Sequence, residues 1–144
     1  MKQIIEIGCD HAGFDLKQLI IKYLHDLGFV VNDHGTFSAD SVDYPDFAHS
    51  VSKAISNDEA KTGILICGSG NGINMTANKH AKIRAALCWT PEIAQLARQH
   101  NNANIITLPA RFMDHNLALK AVDVFLATEF EGGRHLNRVN KITC

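Results

Sequence analysis

The chain of 144 residues lacks any apolar run near the roughly 18 residues that cross a bilayer, so no membrane-spanning helix is expected. It also lacks an excess of one charge. Fourteen Lys and Arg against fifteen Asp and Glu leave a formal net charge of -1, which points to neither nucleic acid nor a membrane surface as partner. Met1-Lys2-Gln3-Ile4-Ile5-Glu6 puts a glutamate where an export signal needs apolar residues, so export is not expected. Cys9, Cys67, Cys88 and Cys144 form no CxxC pair, which argues against a zinc knuckle or a thioredoxin motif. Reduced thiols in a cytoplasmic protein are the simplest reading. The eight histidines show no HxH or HxxxH spacing, so no metal site is expected. There is no internal repeat, linker or low-complexity segment.

What is present fits one domain, residues 1–144, with a sizeable core, since 46% of the residues are hydrophobic and 20% charged. Lys2 to Cys9 reads as a buried strand, followed by the turn Asp10-His11-Ala12-Gly13. Phe14 to Leu27 repeats apolar residues at a helical period, and Gly28 stops it. Phe29 to Asp33 is a second strand, and Thr36 to Asp43 a polar loop. Pro45 suits the first turn of a helix running to about Asn57. Thr62 to Cys67 is strand three, with a helix from about Asn71 to Lys79. Arg84 to Cys88 is strand four, and Pro91 opens a helix that ends near His100. Asn104 to Leu108 is strand five, and Asp114 caps a helix over residues 117–126. A basic tail with no acid after Glu131 follows. Five strands alternating with helices predict a three-layer α/β/α fold, with a parallel Rossmann/flavodoxin-like sheet and a C-terminal helical tail. In the five-strand order 2-1-3-4-5, the ligand crevice lies beyond the carboxyl ends of strands one and three. Asp10-His11 and the turn after strand three would then be neighbours.

That second turn, Cys67-Gly68-Ser69-Gly70-Asn71-Gly72, is the most distinctive stretch. It is not a Walker A loop, because no Gly-Lys-Ser/Thr follows. It is not a dinucleotide fingerprint, because Ile73 stands where a third glycine is needed. It reads either as an anion site of free backbone N–H groups or as a tight turn for close helix packing. A thiol at a helix N-terminus has its pKa lowered, so Cys67 is a candidate base or nucleophile; the plain alternative is a buried packing residue. Asp10 is either a crevice carboxylate or a helix cap. His100 is either an acid–base group or a partner for a helix C-terminus. Arg111, Arg134 and Arg138 lack nearby acids, which suits a phosphate, or in the tail a solvated basic surface.

Taken jointly, the motifs resemble the ribose-5-phosphate isomerase B family, which includes the galactose-6-phosphate isomerase subunits. They are Asp10-His11-Ala12-Gly13 with Leu16-Lys17, Ser41-Val42-Asp43-Tyr44-Pro45-Asp46-Phe47-Ala48, Cys67 to Gly72 and Ala77-Asn78-Lys79. Further on come Arg84 to Cys88, His100-Asn101-Asn102-Ala103-Asn104 and Gly132-Gly133-Arg134-His135 with Arg138-Val139. Ser69 stands where many relatives have Thr, and Pro109-Ala110 where a glycine is usual before Arg111. The resemblance implies a metal-free, cofactor-free aldose–ketose isomerase acting on a small phosphorylated sugar through a cis-enediol(ate). It implies a homodimer with active sites at the subunit interface, sometimes paired into tetramers.

Residue by residue, the resemblance makes Cys67 the base that moves a proton between C1 and C2. His100 opens the furanose ring, with Asp10 on the ring-oxygen side. The N–H groups from Gly68 through Gly70 and Asn71 to Gly72, with Ser69, stabilise the enediolate, and Asn101 contacts the sugar. His11, Arg111, Arg134 and Arg138 hold the phosphate, some from the partner subunit. Ribose 5-phosphate is the expected substrate. The alternatives are galactose or allose 6-phosphate, or a sugar-phosphate-binding module without turnover.

Overall fold

The computed structural model describes residues 3–144. Its element order is β1 (Ile4–Cys9), α1 (Phe14–Asp26), β2 (Val30–Asp33), α2 (Tyr44–Ser56), β3 (Thr62–Cys67), α3 (Asn71–Ala77), β4 (Ala85–Leu87), α4 (Pro91–Asn101), β5 (Ile105–Pro109), α5 (His115–Ala127) and α6 (Arg134–Asn140). A short 3-10 turn, His11–Gly13, links β1 to α1. The expected strand one reached back to Lys2, which lies outside the described residues. Among the described residues no helix is long and apolar enough to cross a membrane.

All four strand pairings are parallel, in the order β2-β1-β3-β5-β4. Alternation along β3 sends its side chains to two separate cores. Ile64 and Ile66 pack with Leu16, Ile20 and Leu24 of α1 and with Ala121, Val122 and Phe125 of α5. Leu65 and Cys67 face the other way, onto Ala48, Val51 and Ile55 of α2 and Ile73 of α3. Helices therefore cover both faces. The chain leaves β1 for one layer and β3 for the other, which makes the β1–β3 gap the topological switch point.

The order departs from 2-1-3-4-5 at one edge: β5, not β4, lies beside β3. Burial explains the exchange. All five residues of β5 are buried, as an inner strand requires, whereas the three residues of β4 are only half-buried and end the sheet. The exchange matters for function, because it sets the segment after β5 directly against the glycine turn after β3.

Candidate active site

The carboxyl ends of β1, β3 and β5 converge on one cavity of ≈ 520 Å³, a volume usual for a small-ligand cleft. Asp10, Cys67, Gly68, Ser69, Gly72, Arg111, Tyr44 and Phe112 line it. Each is held there by local structure. Asp10 caps the 3-10 turn, its carboxylate accepting from the N–H groups of Ala12 (3.0 Å) and Gly13 (3.3 Å). Capping and cavity-lining are thus one role. His11 follows it, and its Nδ1 accepts from the Val42 N–H at 3.2 Å. The loop carrying Val42 is anchored by Lys17. This lysine is fully buried, donates to Thr36 O at 2.7 Å, pairs with Asp33 and lies 4.9 Å from the Phe37 ring centre.

Beyond β3 the chain turns through Gly70, whose φ of +77° belongs to the left-handed region that glycine enters freely. The Ser69 hydroxyl accepts from the N–H of Asn71, the exposed first residue of α3, at 3.3 Å. A Cβ on Gly72 would run into the Tyr44 ring, so that glycine lets the aromatic wall close on the turn. Beyond β5, Ala110 and Arg111 donate their N–H groups to Cys67 O (2.9 Å) and Gly68 O (3.0 Å). The Arg111 guanidinium lies over Gly68, where a Cβ would stand 3.0 Å from its Nη1. Pro109-Ala110 therefore does not divert Arg111 from the cavity.

Cys67 is 5% exposed. The sequence led to a lowered thiol pKa; the structure reverses that direction. Burial pushes it up and the neighbouring Asp10 adds to the rise, while N–H groups of Ile73, Gly70 and Ser69 oppose it. The turn does aim amides at the sulfur, but dehydration of a thiolate in this wall outweighs them.

The other expected site residues stand elsewhere in the same chain. In a parallel sheet, α4 starts at the carboxyl ends and returns to the amino ends, where His100 and Asn101 lie. Strand β3 has six residues, so the two poles are separated by about 20 Å at some 3.3 Å per residue. At this amino pole α6 lies against α4. Glu131 approaches His100 at 3.5 Å, and the His135 ring stacks on the His100 ring with centroids 4.3 Å apart. His135 has its pKa lowered by burial first, then by His100 and Arg134. Arg134 and Arg138 begin and continue α6. Neither they nor Arg111 form an ion pair among the described residues.

One chain therefore gathers Asp10, His11, Cys67, Gly68, Ser69, Gly70, Asn71, Gly72 and Arg111 at one pole. It leaves His100, Asn101, Arg134 and Arg138 at the other. Tyr44 and Phe112 are cavity residues that the sequence reading did not single out. Tyr44 belongs to a quoted motif and Phe112 follows Arg111, which were the available signals. A cavity of ≈ 570 Å³ also opens at the amino ends. Though larger, it has no thiol or histidine in its wall, and its Arg98 is bound to Thr128 O, Ala103 O and Asn102 Oδ1. The cavity at Cys67 is therefore the candidate active site.

The family model for ribose/galactose isomerases matches residues 5–142. The chain belongs to that family. Its relatives include the ribose-5-phosphate isomerase B of Escherichia coli, 47% identical over 96% of this chain and 93% of that one. The crystal structure of a ribose 5-phosphate isomerase from Thermotoga maritima superposes with a TM-score of 0.97 at 50% identity, covering 99% of both chains. The ribose-5-phosphate isomerase B of Mycoplasma genitalium, solved with bound ribulose 5-phosphate, superposes at 0.93 with 45% identity, covering 99% of this chain and 95% of that one. Membership in the family accounts for the expected parallel α/β fold with Cys67 at the switch point.

Proposed function

We propose that this chain is an aldose–ketose isomerase interconverting ribose 5-phosphate and ribulose 5-phosphate, and that it works as a homodimer. The observation carrying the reading is the meeting of Cys67, Asp10 and Arg111 around one cavity, with unpaired arginines and a histidine at the opposite pole. The relatives named for this activity over the same length support the substrate.

In the proposed reaction the Cys67 thiolate takes the C2 proton of the open aldose. The C2–H electron pair forms the C1–C2 double bond of an enediolate. Cys67 returns a proton to C1, and a hydroxyl proton passes from O2 to O1, giving the ketose with nothing gained or lost. The turn from Gly68 to Gly72 and the Ser69 hydroxyl offer fixed donors to the enediolate oxygen, the place where such donors act most strongly. Asp10 and His100 open the furanose, Asn101 contacts the sugar, and His11, Arg111, Arg134 and Arg138 bind phosphate. Phosphate is remote from C1 and C2, so its binding energy can hold the chain of carbons in reactive geometry.

A second copy, turned so that its amino pole meets the first copy's cavity, would supply His100, Asn101, Arg134 and Arg138. Exposed apolar residues support such an association. The half-exposed Trp89 and exposed Phe112 rings meet at a 40° tilt with centroids 5.5 Å apart, and Ile93 and Leu96 of α4 face outward. In this reading the whole chain is one sugar-phosphate isomerase domain acting in the cytoplasm.

The direct test is turnover of ribose 5-phosphate beside galactose 6-phosphate and allose 6-phosphate. Ribose 5-phosphate is expected to give the highest kcat/KM. A higher value for either hexose would move the substrate assignment, and no turnover of any of them would return the chain to a binding role.

A further inference from the structure

The fold builds a donor cluster that linear spacing does not reveal. His100 is the penultimate residue of α4, Glu131 lies in the connection after α5, and His135 is in the first turn of α6. One ligand atom from each lies within 4.8 Å of the other two. We propose that His100, Glu131 and His135 form an inhibitory site for a borderline transition-metal dication of the Zn2+ type.

Two imidazole nitrogens and a carboxylate oxygen are a donor set that holds Zn2+ with a fourth position left for solvent. The bond lengths are about 2.0–2.2 Å, which sets tetrahedral ligand atoms some 3.4 Å apart. The His100 Nε2 to Glu131 Oε1 separation of 3.5 Å already meets that spacing. The two imidazoles lie nearly parallel, 10° apart, so their lone pairs run side by side. Rotation of the half-exposed His100 ring makes them converge, whereas His135, only 9% exposed, stays as the fixed ligand. The Glu131 N–H donates to Gln99 O at 3.1 Å, tying the carboxylate's backbone to the end of α4.

Neighbouring charge sets the selectivity. Arg134 and Arg138 repel any cation, so ions held mainly by oxygen and charge, such as Mg2+ and Ca2+, are disfavoured. Only metals with strong imidazole bonds overcome that repulsion. The inhibitory consequence rests on the role proposed above for His100. A metal on its ring nitrogen removes the group that opens the furanose and places a cation in the sugar's path. This site is separate from the reaction itself, which uses no metal in the proposed mechanism.

The test uses full-length protein without a histidine tag, titrated with Zn2+ and read in two ways. Binding is followed by competition with a chromophoric chelator, and by the visible spectrum after Co2+ is added instead. Turnover is followed as the ratio of rates with and without Zn2+, so each variant serves as its own reference. Wild type is expected to bind one Zn2+ per chain and to lose turnover in step. Glu131→Gln and His135→Gln, each checked for native circular dichroism, are expected to weaken binding and inhibition together by about 10–100-fold or more. The Co2+ spectrum is expected to lack a thiolate charge-transfer band.

Three results would overturn the proposal. The first is no binding to wild type, and the second is binding that survives both substitutions. The third is a thiolate band, which would assign the metal to Cys67. Binding that both substitutions abolish, with no loss of turnover in wild type, would overturn the inhibitory half and count against His100 as a ring-opening group.

Discussion

Cys67 stands between opposed influences: a water-poor wall that favours the thiol, and three backbone N–H groups that favour the thiolate. Cys67→Ala is expected to lower kcat by about 10²–10⁴, the usual worth of a positioned base, while phosphosugar affinity largely survives. Stopped turnover with retained titration calorimetry signal checks this, and normal turnover would remove the thiol from the mechanism. Cys88 shows what burial does without such amides, its thiol raised from 9.0 to about 12, and at Cys9 burial outweighs both Lys17 and the Thr36 N–H to reach about 12 as well. Between these values the unfolded chain gives up protons that the folded chain keeps, so stability falls as pH rises. Each thiol should contribute a slope of about 1.4 kcal/mol per pH unit there. Urea unfolding across that range, repeated with Cys88→Ala, should show the slope decrease when one thiol is gone.

Among the elements, the connection from β3 to α3 is the most constrained. Gly70→Ala would force a Cβ into the left-handed region, at about 1–2 kcal/mol, and into contact with Leu87 of β4. The expected result is a lower urea midpoint together with reduced kcat, because the same turn carries the donors proposed above for the enediolate. The elements themselves were legible. Apolar runs located the strands, and helical period, Pro45, Pro91 and the Asp114 cap the longer helices, while α6 was expected only as a helical tail without bounds; Thr62–Cys67 agreed at both ends, because the buried run is bounded by Lys61 and a glycine turn. Helix α3 ended at Ala77 and not at Lys79. Strand order was not legible. Pairing of β5 with β3 depends on burial across the whole sheet, which no local window contains. Nor could the thiol's pKa direction be read, since dehydration of Cys67 comes from α2 and α3 packing around it. The buried Lys17, quoted as a motif residue, gained its meaning only from Asp33 and Thr36, which it joins to the loop beside His11.

At the scale of the molecule, the two sets of expected site residues lie at opposite poles of one chain. The topology of α4 makes this unavoidable, because a helix that leaves a carboxyl end must finish at an amino end. Family motifs supply the residues without saying which pole each occupies, so the separation emerges only from the fold. The account therefore requires Cys67 and His100 to act from different copies. The measurement that tests it most directly is mixing Cys67→Ala with His100→Asn, by coexpression or joint refolding, and assaying ribose 5-phosphate turnover. Each variant alone should be nearly inactive. In a random mixture half the dimers are mixed and one of their two sites is intact, so about a quarter of wild-type activity is predicted to return. A mixture no more active than its parents would contradict a site shared between two copies.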